Sequence, residues 1–296
     1  MFEYNLAAVA GFIESRLPEF LEFSRSSSRF RDNKSRFGQK RAELDRRVRE
    51  RVLRKLTESR EADDIHPYLL DNNVRCHDLN IDRNGNLLAV GVDLKASFTG
   101  TGYKPQAQTM LSITPSGKFR QEKWAATSGA AIMIGHRQFR EMAREPFGAH
   151  EIYVAEDYAS GAFLHEGIGG PVAVTLRLSN LKSVVQILKD KFPRAHIVVC
   201  LNNPEEWDER RKKTVSELQK YDVITICPEF SKREREHALV SFNDRAMMTQ
   251  AGTTVSAVKG LIQSRINQRL ERIRRDHLEM MAALNGAEGE SSLAAA

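Results

Sequence analysis

Carboxylates at the ends of apolar runs are the first residues of this 296-residue chain that could do chemistry. Glu156-Asp157 follows the β-branched run Ile152–Ala155 and precedes a helical stretch. Oxygen ligands placed where a strand ends and a helix begins can hold Mg²⁺, a hard cation that keeps several of its waters. Acidic residues also favour helix N-termini as caps, so the pair has two readings. Asn202-Asn203-Pro204-Glu205-Glu206 follows a second such run, Ile197–Cys200. Asn202 could add an oxygen to a cation site, but without charge, and two-metal chemistry needs anionic ligands. Glu205, Glu206 and Asp208 stand at a helix start. Ser241-Phe242-Asn243-Asp244 precedes another helical stretch, where Asp244 is either a ligand or part of a cap.

The elements that must position these residues follow a rhythm. From about His150, short apolar runs alternate with helical spacing: strand Ile152–Ala155, helix Ala159–Glu166, strand Val172–Leu176, helix Leu181–Phe192. Strand Ile197–Cys200, helix Glu205–Lys220 and strand Val223–Cys227 complete it. This pattern predicts an α/β fold, a parallel sheet with helices on both faces, and such sheets collect chemistry at the carboxyl ends of their strands. Residues 63–149 read as a small β-rich subdomain. Leu79–Ile81 and Leu87–Val92 flank the turn Asp82-Arg83-Asn84-Gly85-Asn86, and Met110–Ile113 and Phe119 flank Pro115-Ser116-Gly117-Lys118. Ala130–Ile134 is a further short strand.

Basic helices flank this body. Residues 1–62 form a helical region. An apolar period runs from Phe2 to Phe20 with an interruption at Pro18, and residues 25–60 hold fourteen Lys/Arg against five Asp/Glu. Between Arg41 and Leu56 the apolar positions Leu44, Val48, Val52, Leu53 and Leu56 make a narrow stripe on a charged helix. Arg46 and Arg47 on its polar face are candidate phosphate contacts; a solvated surface helix is the plainer reading. Residues 255–284 form a last basic helix, and 285–296, rich in Gly, Ala, Ser and Glu, a disordered tail. The expected divisions are therefore 1–62, 63–149, 150–254, 255–284 and 285–296.

Lys and Arg (45) exceed Asp and Glu (39), giving a net charge of +6, and 41% apolar residues suffice for a real core. An excess of this size points to nucleic acid only through where the charges lie. Cys76, Cys200 and Cys227 form no C-x-x-C pair, so no zinc site is expected, and three scattered thiols fit a reducing, cytoplasmic setting. No apolar run reaches the roughly 20 residues of a membrane span, so no membrane partner is expected. The eight histidines make no metal cluster at usual spacing, and no G-x-x-x-x-G-K-[ST] loop appears, which excludes a fused helicase.

Residues 151–262 resemble the TOPRIM domain of phage- and plasmid-type DNA primases in motif order and spacing. Val154-Ala155-Glu156-Asp157-Tyr158-Ala159-Ser160-Gly161 resembles the family's E-G-Y-A-T-G stretch, and Ser179-Asn180-Leu181 its G-N-L turn. Phe192–Cys200 resembles the strand leading to its D-N-D, and Phe242-Asn243-Asp244 its D-F-N-D. Upstream, His66-Pro67-Tyr68-Leu69, the two hairpins and Ile134-Gly135 resemble the small subdomain that accompanies this TOPRIM type, extending the likeness to roughly residues 63–262. The resemblance implies Mg²⁺ or Mn²⁺ as cofactor, with Glu156 and Asp244 as the metal ligands that keep their places; Asp157 and Asn202 join the candidate metal set from their position at the strand ends, and Asp157, Glu205 or Asp208 could compensate for the missing aspartates. The resemblance makes Glu156 and Asp244 the catalytic pair, and Lys118, Arg120 and Lys123 the basic residues on the path of single-stranded DNA. It also implies nucleotides as substrates and a replication or conjugation protein as partner. The departures are specific. Asn202-Asn203-Pro204 replaces D-N-D, Ser241 replaces the first Asp of D-F-N-D, and Asp157 replaces a Gly. Three readings follow: a primase-like nucleotidyltransferase, a TOPRIM module that binds nucleic acid or a partner without catalysis, and a nuclease. The D-F-N-D remnant speaks against the third.

Overall fold

The computed structural model describes residues 38–293 apart from 204–207, 238 and 250. The apolar period of residues 2–23, and Glu205 and Glu206, lie outside the described residues. Helix α1 (residues 38–57) leads into β1 (Arg60–Glu61), α2 (Pro67–Asp71), β2 (Asn80–Ile81), β3 (Leu87–Asp93), α3 (Leu94–Ser97), β4 (Phe98–Thr99) and β5 (Gly102–Tyr103). Then come β6 (Ala107–Ile113), β7 (Phe119–Gln121), β8 (Ala130–Ile134) and α4 (His136–Arg144). The alternating part is β9 (Glu151–Ala155), α5 (Tyr158–Ile168), β10 (Val172–Val174), α6 (Leu181–Lys191), β11 (His196–Cys200), α7 (Glu209–Leu218) and β12 (Ile224–Ile226). Helices α8 (Lys232–Glu236), α9 (Phe242–Met248) and α10 (Ala251–Leu293) follow.

Ten strands form one mixed sheet in the order β1-β2-β3-β8-β10-β9-β11-β12, with β6 on the free side of β3 and β7 on β6. Its parallel part is β10-β9-β11-β12; the remaining pairs are antiparallel. The join is β8 against β10, so the sheet passes without a break across residue 150.

Side chains alternate between two buried faces, which is why β9 and β11 read as continuous apolar runs. Tyr153, Ala155, Val198 and Cys200 pack on one face with α5, α9 and the start of α10. Ile152, Val154, Ile197 and Val199 pack on the other with α4 and α6. Helix α5 comes so close to the sheet that a Cβ on Gly161 would lie 2.6 Å from Val174 Cγ2. Helix α4 was not expected from the sequence. Its Phe139, Met142 and Ala143 are buried while the six other positions are polar, a short stripe that a nine-residue window hides.

Helix α1 buries Val48 and Val52 on Leu88 and Met110, with Leu56 packed against the same cluster, while Leu53 is half exposed. Arg51 Nε and Lys55 Nζ, 3.0 and 2.6 Å from the Glu122 carboxylate, tie this helix to the loop after β7. Helix α10 buries Thr254, Val258, Ile262 and Ile266 and runs on through 285–293, which the sequence assigns to a disordered tail. A helix already nucleated adds about one hydrogen bond per residue as it grows, so a weak composition suffices for its extension. No helix among the described residues is long and apolar enough to cross a membrane.

Candidate functional site

Strands β9 and β11 are parallel neighbours with Ala155 opposite Cys200. Glu156-Asp157 and Leu201-Asn202 therefore leave the sheet side by side at its carboxyl edge. What each side chain does there differs from a metal cradle.

Glu156 is clasped by Arg211 from the first turn of α7. Nη1 donates to Oε1 at 2.6 Å and Nη2 to Oε2 at 2.9 Å. The Asn202 backbone N–H also donates to Oε1, at 2.8 Å, and Arg211 Nη1 donates to the Asn202 carbonyl at 3.1 Å. The pair is nearly enclosed, with side-chain exposures of 8% and 14%. Asp157 caps α5: Oδ1 accepts from Ser160 N–H (2.8 Å), and Oδ2 from the Ser160 hydroxyl (2.9 Å) and Asn202 Nδ2 (3.1 Å). Desolvation pushes its carboxyl above the usual carboxylate range, against the lowering effect of those hydrogen bonds. Asp244 closes a capping box at α9. Its Oδ2 accepts from Val240 and Ser241 N–H, and its own N–H donates to Ser241 Oγ. Asn203 Nδ2 donates to the Pro228 carbonyl, and Asp208 caps α7.

Asp157, Asn202 and Asp244 do meet on one cleft of about 430 Å³, together with Tyr68, Asp71 and Phe119. Glu156 is not among its walls. A divalent cation needs carboxylate oxygens with open lone pairs. Here both Glu156 oxygens hold a guanidinium, both Asp157 oxygens hold Ser160 or Asn202 donors, and Asp244 Oδ2 holds two backbone N–H groups. No group of three His, Cys, Asp or Glu side chains is arranged to hold a metal ion among the described residues. The residues present do not fit a two-metal cradle.

The Asp157 environment gives a direct prediction. Asp157→Asn keeps a capping oxygen for Ser160 N–H and removes the charge whose desolvation is unfavourable. A carboxyl raised on folding lowers stability as pH climbs from the unfolded value, about 3.9, through the raised folded one. Relative to wild type, Asp157→Asn therefore gains stability over that rise in pH. Asp157→Ala loses the cap and about 0.5–2 kcal/mol of stability. Urea midpoints across the acid range check both.

The basic candidates fall into two groups. Phe119 and Arg120 lie on β7, an outer strand that pairs with β6 alone, and Lys118 stands in the turn just before it. Phe119 is half exposed, sets its ring edge-on to Tyr68 at 5.9 Å and stands at the cleft mouth, Arg120 alternates to the other face of the strand, and Lys118 is exposed in the turn. Lys123 lies over the ring of Trp124, 5.4 Å from its centroid. Trp124 is 63% exposed and held at φ 67°, a left-handed conformation that costs a residue with a Cβ about 1–2 kcal/mol. Arg46 and Arg47 sit instead on the outer face of α1, paired with Glu43 and Glu50 in their own helix. Arg211 and Trp124 went unremarked in the sequence. Nothing in local spacing ties Arg211 to Glu156, 55 residues away.

No protein-family model matches the chain. No curated protein matches it either. Among solved structures it is similar to the primase fragment of the bacteriophage T7 primase-helicase protein: TM-score 0.44, 12% identity, covering 67% of this chain and 74% of that one. A second similar chain comes from a complex of the bacteriophage T7 lagging-strand DNA polymerase with primase domains, an RNA/DNA hybrid and dTTP. Its TM-score is 0.36 and its identity 14%, covering 64% of this chain and 86% of that one.

Proposed function

We propose that this protein is a primase-related module that binds single-stranded nucleic acid and has lost primer synthesis. The observation that carries the reading is the outer strand β7 with its loop. There exposed cations (Lys118, Arg120, Lys123) alternate along the chain with exposed rings (Phe119, Trp124), and Phe119 stands at the cleft. Cations on a strand edge attract phosphates without regard to sequence, and exposed rings stack bases at about 1–3 kcal/mol each. Trp124 held outward at a conformational cost fits a surface kept for contact. The loss of synthesis rests on the two carboxylates after β9, Glu156 and Asp157, both engaged by protein donors, and on the asparagines that follow β11. Replication or transfer of DNA is the setting that the TOPRIM resemblance suggests, with a protein of that machinery as partner.

The test pairs two assays on the same protein. Fluorescence anisotropy with a labelled single-stranded oligonucleotide should show binding that weakens steeply with salt. Ribonucleotide incorporation on single-stranded template with Mg²⁺ or Mn²⁺ should give no product. Product that disappears in Glu156→Ala would return the protein to the active primases; an absence of binding would remove the reading altogether.

A further inference from the structure

We infer that Arg211 is a built-in cation: its guanidinium takes the oxygen set at the ends of β9 and β11 that a divalent ion would need, and the fold depends on it in place of metal. The inference shares the Glu156 clasp with the proposed loss of synthesis, which the incorporation assay tests separately, while the binding role stands on β7 and its loop and survives either outcome here.

Three oxygens converge on the guanidinium, both oxygens of Glu156 and the Asn202 carbonyl, at 2.6, 2.9 and 3.1 Å. Two carboxylate oxygens and a backbone carbonyl are the ligand types that a hard cation selects. The planar fork of arginine matches a carboxylate bidentately and carries its charge at every physiological pH, so its hold needs no ion from solution. Location makes the same point. Arg211 stands in the first turn of α7, with its N–H on the Asp208 cap, where the helix dipole disfavours a cation. The helix gains nothing from arginine at that position; Glu156 does, because a nearly buried carboxylate without a partner is costly. The clasp also fixes α7 and the end of β11 to the end of β9, since Asn202 both donates to Glu156 and accepts from Arg211.

The test reads thermal unfolding and metal binding on the full chain. Wild type should melt at the same temperature in EDTA and in millimolar Mn²⁺, and electron paramagnetic resonance should find no bound Mn²⁺. Arg211→Ala should lower Tm by on the order of 10 °C, the loss expected when one member of a buried pair is removed. Arg211→Ala combined with Glu156→Gln should regain about half of that fall, because no buried charge is then left alone. A saturable Mn²⁺ site in wild type that Glu156→Gln abolishes would overturn the inference, as would an Arg211→Ala protein with wild-type Tm. If Arg211→Ala does not fold, the resonance measurement on wild type still decides.

Discussion

Asn180→Leu should lose about 3–6 kcal/mol of stability, although Leu is close to Asn in size. The Asn180 amide, 3% exposed, sits just before α6 and serves three backbone groups. Its Oδ1 accepts from Gly129 N–H at 2.8 Å, and its Nδ2 donates to the carbonyls of Ala130 (2.6 Å) and Thr175 (2.8 Å). Those groups belong to the start of β8 and the residue after β10, so one side chain knits the two strands at which the sheet changes from antiparallel to parallel. An apolar replacement strands all three. Each buried backbone group left without a partner costs about 1–3 kcal/mol, and some relaxation keeps the sum below its maximum. Asn180→Asp should also be severe, because it turns a carboxylate toward two carbonyls. Urea unfolding checks this: a fall in midpoint at unchanged slope is the expected signature.

The second large effect is on binding. Lys118→Glu together with Arg120→Glu should weaken single-stranded DNA binding by tenfold or more. The plot of log affinity against log salt should lose about 1.4 in slope, about 0.7 for each phosphate contact on a single strand. Phe119→Ala should cost about 1–3 kcal/mol of binding and leave that slope unchanged, because stacking releases no counterions. Arg46→Ala should change little, since its charge already faces Glu43 and Glu50. Anisotropy titrations at several salt concentrations separate these cases. Equal slopes for wild type and the double variant would take β7 out of the binding surface.

The first effect rests on a contact that the sequence does not show, the second on residues that it already names. Strands β9 and β11 were legible because burial on both faces leaves a continuous β-branched run. The first hairpin was legible because Asp82 is a turn residue with a mechanism: its carboxylate accepts from the N–H groups of Asn84 and Asn86. Their ends placed Glu156, Asp157 and Asn202 together, correctly. Their partners were not legible. Ser160 and Ser241 turn Asp157 and Asp244 into caps, a local reading the sequence already offered beside the metal one. Arg211 reaches Glu156 only through the packing of α7, and tertiary contacts of that kind leave no periodic trace. Asn180 appeared only as part of a resembling turn, since the three carbonyl and amide groups it serves come from separate strands.

The ladder between β8 and β10 sets how the protein can be divided. Val172, Ala173 and Val174 face Ile134, Met133 and Ile132 across it, and all six are buried. A fragment beginning at residue 150 would bare the β10 side of that ladder, an apolar edge with open hydrogen-bonding groups of the kind that recruits other chains. The two halves of the sheet therefore share one ladder, and truncation at this boundary is expected to yield an aggregation-prone piece, which light scattering of the 150–293 fragment beside the full chain checks.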